Sequence, residues 1–200
     1  MTEQISPMET NQELELLCAN EAVEDLEELL EAAEQFNVEV STDRATGRER
    51  QISAKIRIPH SVEQVWQILT DYDHLADFIP SLSRSRRIQH PEGGIRIEQI
   101  GTQALLRVKF CARVVLDMVE KVPHQLDFQM VEGDFKSFCG NWTLQPLANG
   151  NTELCYTVVV LPPRTMPIGL IERKLKSGLV TNLSAIRQRA DELFGSHSSI

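Results

Sequence analysis

The densest group of ionisable side chains outside the N-terminal stretch is Asp71, Asp73, His74 and Asp77. An aspartate beside a histidine is the raw material of acid–base catalysis or of a metal site. The same residues also suit the start of a short helix, where carboxylates meet the positive end of the helix dipole. That plainer reading is preferred here. His60, His90 and His124 each sit beside a proline-containing turn, where exposure is expected, and none has the spacing of a paired metal site. Cys18, Cys111, Cys139 and Cys155 are scattered with no CxxC spacing, which reads as reduced structural thiols. No serine or cysteine lies in a nucleophile elbow, and Gly93-Gly94 reads as a turn rather than a phosphate loop. No catalytic residue, metal or cofactor is therefore assigned.

Amides are more informative. Gln99 and Gln103 share strand parity with Ile95 and Ile97, so at least one is expected to point inward. A buried amide left unpaired costs about 1–3 kcal/mol, so it needs an internal partner or a ligand oxygen. Lys136 and Arg187 are candidates to counter a ligand carboxylate or phosphate, with solvated surface charge as the plainer reading. Asp134 after Gly133 is explained by an Asx-type turn. Gly140, two residues before Trp142 on the same face, leaves room for a sheet bend or for close approach of a ligand.

These residues must be held by the elements around them. Ile52, Ala54, Ile56 and Ile58 alternate with polar residues as a half-buried strand does, and Pro59 ends it. Ser61 and Gln64 form a capping-box pattern opening a helix through Thr70, with Val62, Val65, Trp66 and Leu69 inward. A second short helix runs from about 72 to 78. Strands are expected at 82–90, 95–104, 106–120, 125–132, 135–146 and 153–161, with turns at 91–94, 123–124, 133–134 and 149–150. Val108, Phe110, Ala112, Val114, Leu116 and Met118 share one face, while Arg107, Lys109, Arg113 and Asp117 share the other. One apolar and one charged face describe an antiparallel sheet covered on one side. A helix over 168–194 with Ile171, Leu175, Leu179, Leu183, Ile186, Ala190 and Leu193 on one face is the natural cover.

Charge divides the chain. Residues 1–40 hold twelve Asp/Glu and no Lys or Arg, whereas the remaining residues hold seventeen acids against twenty bases, and the net charge is −9. Leu16, Ala19, Val23, Leu26, Leu30 and Ala33 make a narrow apolar seam on this acidic segment, so 12–35 reads as a helix. It either docks on the chain's own surface or serves self-association or a protein partner. The segment 40–48 reads as a linker or turn. The expected organisation is an acidic helical extension over 1–40 and one α+β domain over 41–200. Nucleic acid is not an expected partner, because no basic footprint is evident. No apolar run reaches the length of a membrane span, which leaves transient membrane contact open and makes the cytoplasm the expected location.

The order of elements, with several local motifs, resembles the START-like (SRPBCC) superfamily. Within it the chain is most similar to the polyketide cyclase/dehydrase and coenzyme-Q-binding groups, of the cyanobacterial and chloroplast type. The motifs are Val65-Trp66-Gln67-Ile68-Leu69-Thr70-Asp71-Tyr72 with Phe78-Ile79-Pro80, Glu98-Gln99-Ile100-Gly101-Thr102-Gln103, and Glu132-Gly133-Asp134-Phe135-Lys136-Ser137-Phe138 with Gly140 and Trp142. Residues 167–172 and Asn182-Leu183-Ser184-Ala185-Ile186-Arg187 complete the set. The resemblance implies a helix-grip fold, in which about six or seven curved antiparallel strands wrap the long C-terminal helix. It also implies a cavity for a hydrophobic small molecule such as a lipid, quinone, isoprenoid or pigment. By strand parity that cavity would be lined by Phe110, Val114, Phe128, Met130, Phe138, Trp142, Tyr156 and Val158, closed by Ile171, Leu175 and Leu179, and given polarity by Gln99 and Gln103. The alternatives are a cyclase or dehydratase enzyme, and a regulatory protein acting through the acidic helix.

Overall fold

The computed structural model of the chain describes residues 33, 35–44, 47–105, 108–165 and 168–195. Its sheet has eight antiparallel strands: β1 Glu39–Arg44, β2 Arg50–Ile58, β3 Leu82–Ile88, β4 Ile95–Leu105, β5 Val108–Lys121, β6 Gln125–Gly133, β7 Ser137–Pro146 and β8 Thr152–Leu161. Two short helices, α1 Val62–Leu69 and α2 Leu75–Phe78, interrupt the strands after β2. The long helix α3, Ile168–Phe194, follows β8. The spatial order is β1-β2-β8-β7-β6-β5-β4-β3. The second strand thus lies against the last, and the sheet folds round α3.

The strand expected over 50–58 forms because its alternation suits a sheet with one wet face. Ile52, Ala54, Ile56 and Ile58 are fully buried, and they meet Val158, Tyr156, Leu154 and Thr152 of β8 in register. The α1 capping box is present: the Ser61 hydroxyl accepts from the Gln64 N–H, and the Ser61 N–H donates to the Gln64 side chain at 3.0 Å. Asn149 and Gly150 both take positive φ between β7 and β8, as that pair is suited to do.

Two expectations are corrected. Residues 39–44 are strand rather than linker, which raises the strand count to eight. The pattern missed β1 because an edge strand pairs on one side only and needs no alternating apolar face. His60 is buried rather than exposed, because the last turns of α3 cover it: its Nε2 lies 2.8 Å from Asp191 Oδ1. Most of the acidic helix expected over 12–35 lies outside the described residues. Residues 33, 35 and 36 are helical, Asn37 takes a positive φ, and the Val38 N–H bonds back to the Ala33 carbonyl at 2.8 Å. This closes a helix end, and Ala33 and Phe36 lie against the core.

The outer face of the sheet carries the charges. Glu98 accepts from Arg113 and Arg86, each at 2.8 Å, and Arg113 also reaches Glu132. These guanidinium groups, Arg113 first, hold the Glu98 carboxyl below its ordinary value of 4.5. Asp117 is likewise lowered by Arg96, at 2.8 Å. The Asp134 carboxylate accepts from the Arg113 N–H at 2.7 Å while the Asp134 N–H donates to the Arg113 carbonyl at 3.0 Å, closing the turn after β6. No helix among the described residues is long and apolar enough to cross a membrane.

Two measurements follow. A Cβ at Gly140 would lie 2.0 Å from the Thr157 carbonyl oxygen and 2.7 Å from the Phe128 ring, so Gly140→Ala is expected to cost about 3 kcal/mol in urea unfolding. Glu98 has a depressed folded pKa, so its contribution is complete above pH 4.5 and fades as pH falls through the folded value. Glu98→Gln should therefore lower the urea midpoint at neutral pH, and the two midpoints should converge under acid.

Candidate functional site

Helix α3 does two different things along its length. Its C-terminal half, with Leu183, Ile186 and Ala190 fully buried, meshes with β2 and α1. Two polar ties fix that end: His60 to Asp191, and Arg187 Nη1 to the Arg57 carbonyl at 2.7 Å. Its N-terminal half, presenting Ile171, Leu175, Gly178 and Leu179, spans a hollow of about 340 Å³. The hollow exists because the facing side chains are too short to fill it. Gly101 of β4 and Ala112 of β5 are direct cross-strand partners, and both line it, as does Gly178 of α3.

Strands β4 to β8 all contribute to the wall. Val114, Phe128, Phe138, Trp142, Tyr156 and Val158 line it from the sheet, Gln99 lines it from β4, and Ile171, Leu175 and Leu179 line it from α3. Met130 does not. It is partly buried against the core, and its thioether turns back over Gly133, where a Cβ would lie 2.8 Å from Sδ. Met130 pairs opposite the wall residue Leu116, so its parity is that of the inner face, but it packs at the edge of the core instead of on the wall. The side chains of Gln103 and Phe110 lie outside the described residues. Alternation did not pick out Tyr72, Leu75 and Ile79, which close one end of the hollow, nor the Gly101–Ala112 pair.

One flank of the cavity is aromatic. The Trp142 and Tyr156 rings, cross-strand neighbours on β7 and β8, stack with centroids 3.6 Å apart and planes within 7°. Phe128 lies 5.9 Å from Tyr156 and 5.5 Å from Phe138, and Phe135 stacks on Phe138 at 5.6 Å. Gly140 is the vacancy that lets the Phe128 ring sit between these strands, so its space belongs to packing and not to a ligand.

Polar groups on the wall are few. The Gln99 Nε2 donates to the Ser85 hydroxyl at 3.2 Å, which uses one of its two N–H groups. The Ser81 hydroxyl donates to Asn182 Oδ1 at 2.6 Å. The Tyr72 hydroxyl donates to Glu120 at 2.8 Å. The Tyr156 hydroxyl has no hydrogen-bond partner among the described residues. Burial drives both phenols far above the usual tyrosine range, helped at Tyr72 by the bond to Glu120. Both keep their protons and act as donors. Lys174 and Thr165 add the remaining polarity, near the start of α3.

Other candidates fall elsewhere. Asp71 and His74 form an exposed pair at 2.7 Å, which raises the His74 pKa, and Asp73 accepts from the Arg87 N–H at 2.7 Å. The Asp71–His74 pair is local to its turn, and Asp73 ties that turn to β3. Among the described residues, no three His, Cys, Asp or Glu converge as a metal would require. Lys136 is exposed, Arg187 is engaged with Arg57 and Asp191, and neither lines the hollow. Cys111, Cys139 and Cys155 are free thiols, and burial pushes the Cys139 thiol up, away from reactivity.

Against known structures, the fold aligns with a STAR-related lipid transfer protein from Xanthomonas axonopodis at a TM-score of 0.63 and 15% identity, over 76% of this chain and 93% of that one. It aligns equally with the aromatase/cyclase Zhui from Streptomyces, at 0.63 and 14%, over 76% and 99%. These establish a shared helix-grip architecture. In sequence, the ribosome association toxin RatA of Escherichia coli is 28% identical over 98 residues, which is 49% of this chain. The chain spans 60% of the length of the curated relatives it matches. The family described as polyketide cyclase / dehydrase and lipid transport matches residues 58–184, a stretch that begins at the end of β2 and takes in most of the cavity wall. With that span and this helix-grip sheet, the chain belongs to the polyketide cyclase / dehydrase and lipid transport family.

Proposed function

We propose that the protein binds and carries a hydrophobic small molecule in the hollow between the sheet and the N-terminal half of α3. The observation that carries this is a space of about 340 Å³ inside the fold with a mainly apolar wall. That is within the size range of small-molecule sites, where a few placed polar groups set orientation. Affinity would come from taking apolar ligand surface out of water, at about 25 cal/mol per Å². Gln99, Val114, Phe128, Phe138, Trp142, Tyr156, Val158, Ile171, Leu175 and Leu179 are the proposed contacts.

The same wall favours carriage over cyclase or dehydratase chemistry. Such chemistry needs a group that takes a proton as well as one that gives it. The titratable groups on the wall, among the described residues, are Tyr72, Tyr156 and Lys174. Both phenols are held protonated, and among the described residues the wall carries no carboxylate, imidazole or thiol to pair with them.

The likeness to a ribosome association toxin favours a second reading, in which the acidic N-terminal segment meets a protein partner. Twelve acids and no base in residues 1–40 would repel RNA phosphate, so such a contact would be with protein. Removing residues 1–32, ahead of the helix end that meets the core, separates the two roles. A carrier keeps its ligand and a partner-binding protein loses its partner.

Native mass spectrometry of the protein from its own cells should show a bound apolar mass released on unfolding. In Ala112→Trp the indole would occupy the hollow. This variant should keep its thermal midpoint and lose the blue-shifted emission of a neutral naphthalene dye. Undiminished dye binding by the variant would place the site elsewhere.

A further inference from the structure

We propose that Tyr156 is the polar anchor of the cavity, and that the molecule held there is neutral and presents a carbonyl-type oxygen to the Tyr156 hydroxyl from an otherwise apolar body. This rests on the hollow being a ligand site. It adds which chemistry that site selects.

The chain has two tyrosines, and they are treated differently. Both are buried and both line the hollow, Tyr72 at 1% exposure and Tyr156 at 9%. The Tyr72 hydroxyl is satisfied by Glu120, whereas the Tyr156 hydroxyl meets no acceptor among the described residues. The hydroxyl is not one of the sealed, partnerless polar atoms of the interior, so it opens onto the hollow, where an acceptor can reach it. The ring that carries it is fixed in place. Its ring is clamped between β2 and β7 neighbours, flat against Trp142 and flanked by Phe128 at 58°. Such a fixed, unspent donor on a cavity wall fits an acceptor that arrives with the ligand.

The surroundings define that acceptor. Burial keeps the phenol protonated, so it gives a hydrogen bond. Its aromatic neighbours bring no charge. A ligand carboxylate at this end would therefore be desolvated without a cation, a far costlier state than a desolvated ketone, ester or quinone oxygen. Lys174, the cation on the described wall, is on α3 rather than among these rings. The planar faces of Trp142, Phe128 and Phe138 suit a flat, conjugated body next to the carbonyl. A site that hydrogen-bonds one oxygen also discriminates against the hydrocarbon lacking it.

The test uses the full chain and two probes of one ring skeleton, 9-fluorenone and fluorene, which differ by a single carbonyl. Tyr156→Phe should weaken fluorenone about tenfold and leave fluorene unchanged. The C=O stretch of bound fluorenone should lie low in the wild type and rise to its hydrocarbon-solvent value in the variant. The unliganded variant should melt at or above the wild-type temperature, since no bond within the protein is lost. Equal fluorenone binding by both proteins overturns the anchor and leaves the cavity reading standing. A drop in the variant's melting temperature also overturns the anchor, because it means the hydroxyl already has a protein partner. Failure of both probes to enter the wild type overturns the cavity reading and the anchor with it.

Discussion

An antiparallel sheet with one apolar face must cover that face, and here α3 is the element long enough to do it. The cover is uneven by construction. Large aliphatic side chains interlock where Leu183, Ile186 and Ala190 meet β2. Nearer the start of α3, where Gly178, Gly101 and Ala112 are among the residues round the hollow, side chains are short. The hollow is therefore a property of residue size at a few positions, held open by firm packing further along the same helix. The paired charges on the far side of the sheet contribute in another way. They occupy the wet face, while on the inner side of β5 the carboxylate of Glu120 is taken up by the Tyr72 hydroxyl.

Most of the architecture was legible because it rests on period. The alternation in 50–58 and 108–118, the capping pattern at Ser61 and the spacing along 168–194 each have a direct backbone cause, and each appears where expected. Strand parity placed Val114, Phe128, Trp142 and Tyr156 on the inner face without any structure. It also gave Met130 the inner side, but not how far along β6 the wall extends. It missed β1 because an edge strand of mixed polar residues carries no alternation to read. His60 was misread because its cover comes from Asp191, 131 residues away.

The hollow itself was less legible. Whether an inward residue touches another side chain or an empty space depends on the sizes of partners from distant strands. Glycine and alanine were both visible in 101–112, but their pairing across β4 and β5 and their place on the wall are set by three-dimensional register. The opening of the Tyr156 hydroxyl onto the hollow is hidden for the same reason, since the sequence does not reveal which donors lack a protein partner. The family likeness supplied the expectation of a cavity, and the geometry supplied its wall.

The pairing of β2 with β8 has a consequence for biosynthesis. Arg50 bonds opposite Val160, so the early strand waits for the last one to leave the ribosome. Until then the greasy side of a growing meander is bare, and α3, which roofs it, emerges later still. Enclosure of the hollow is consequently the final act of folding rather than an early one. A nascent chain stalled before residue 168 would present a sticky open trough, a natural target for chaperones.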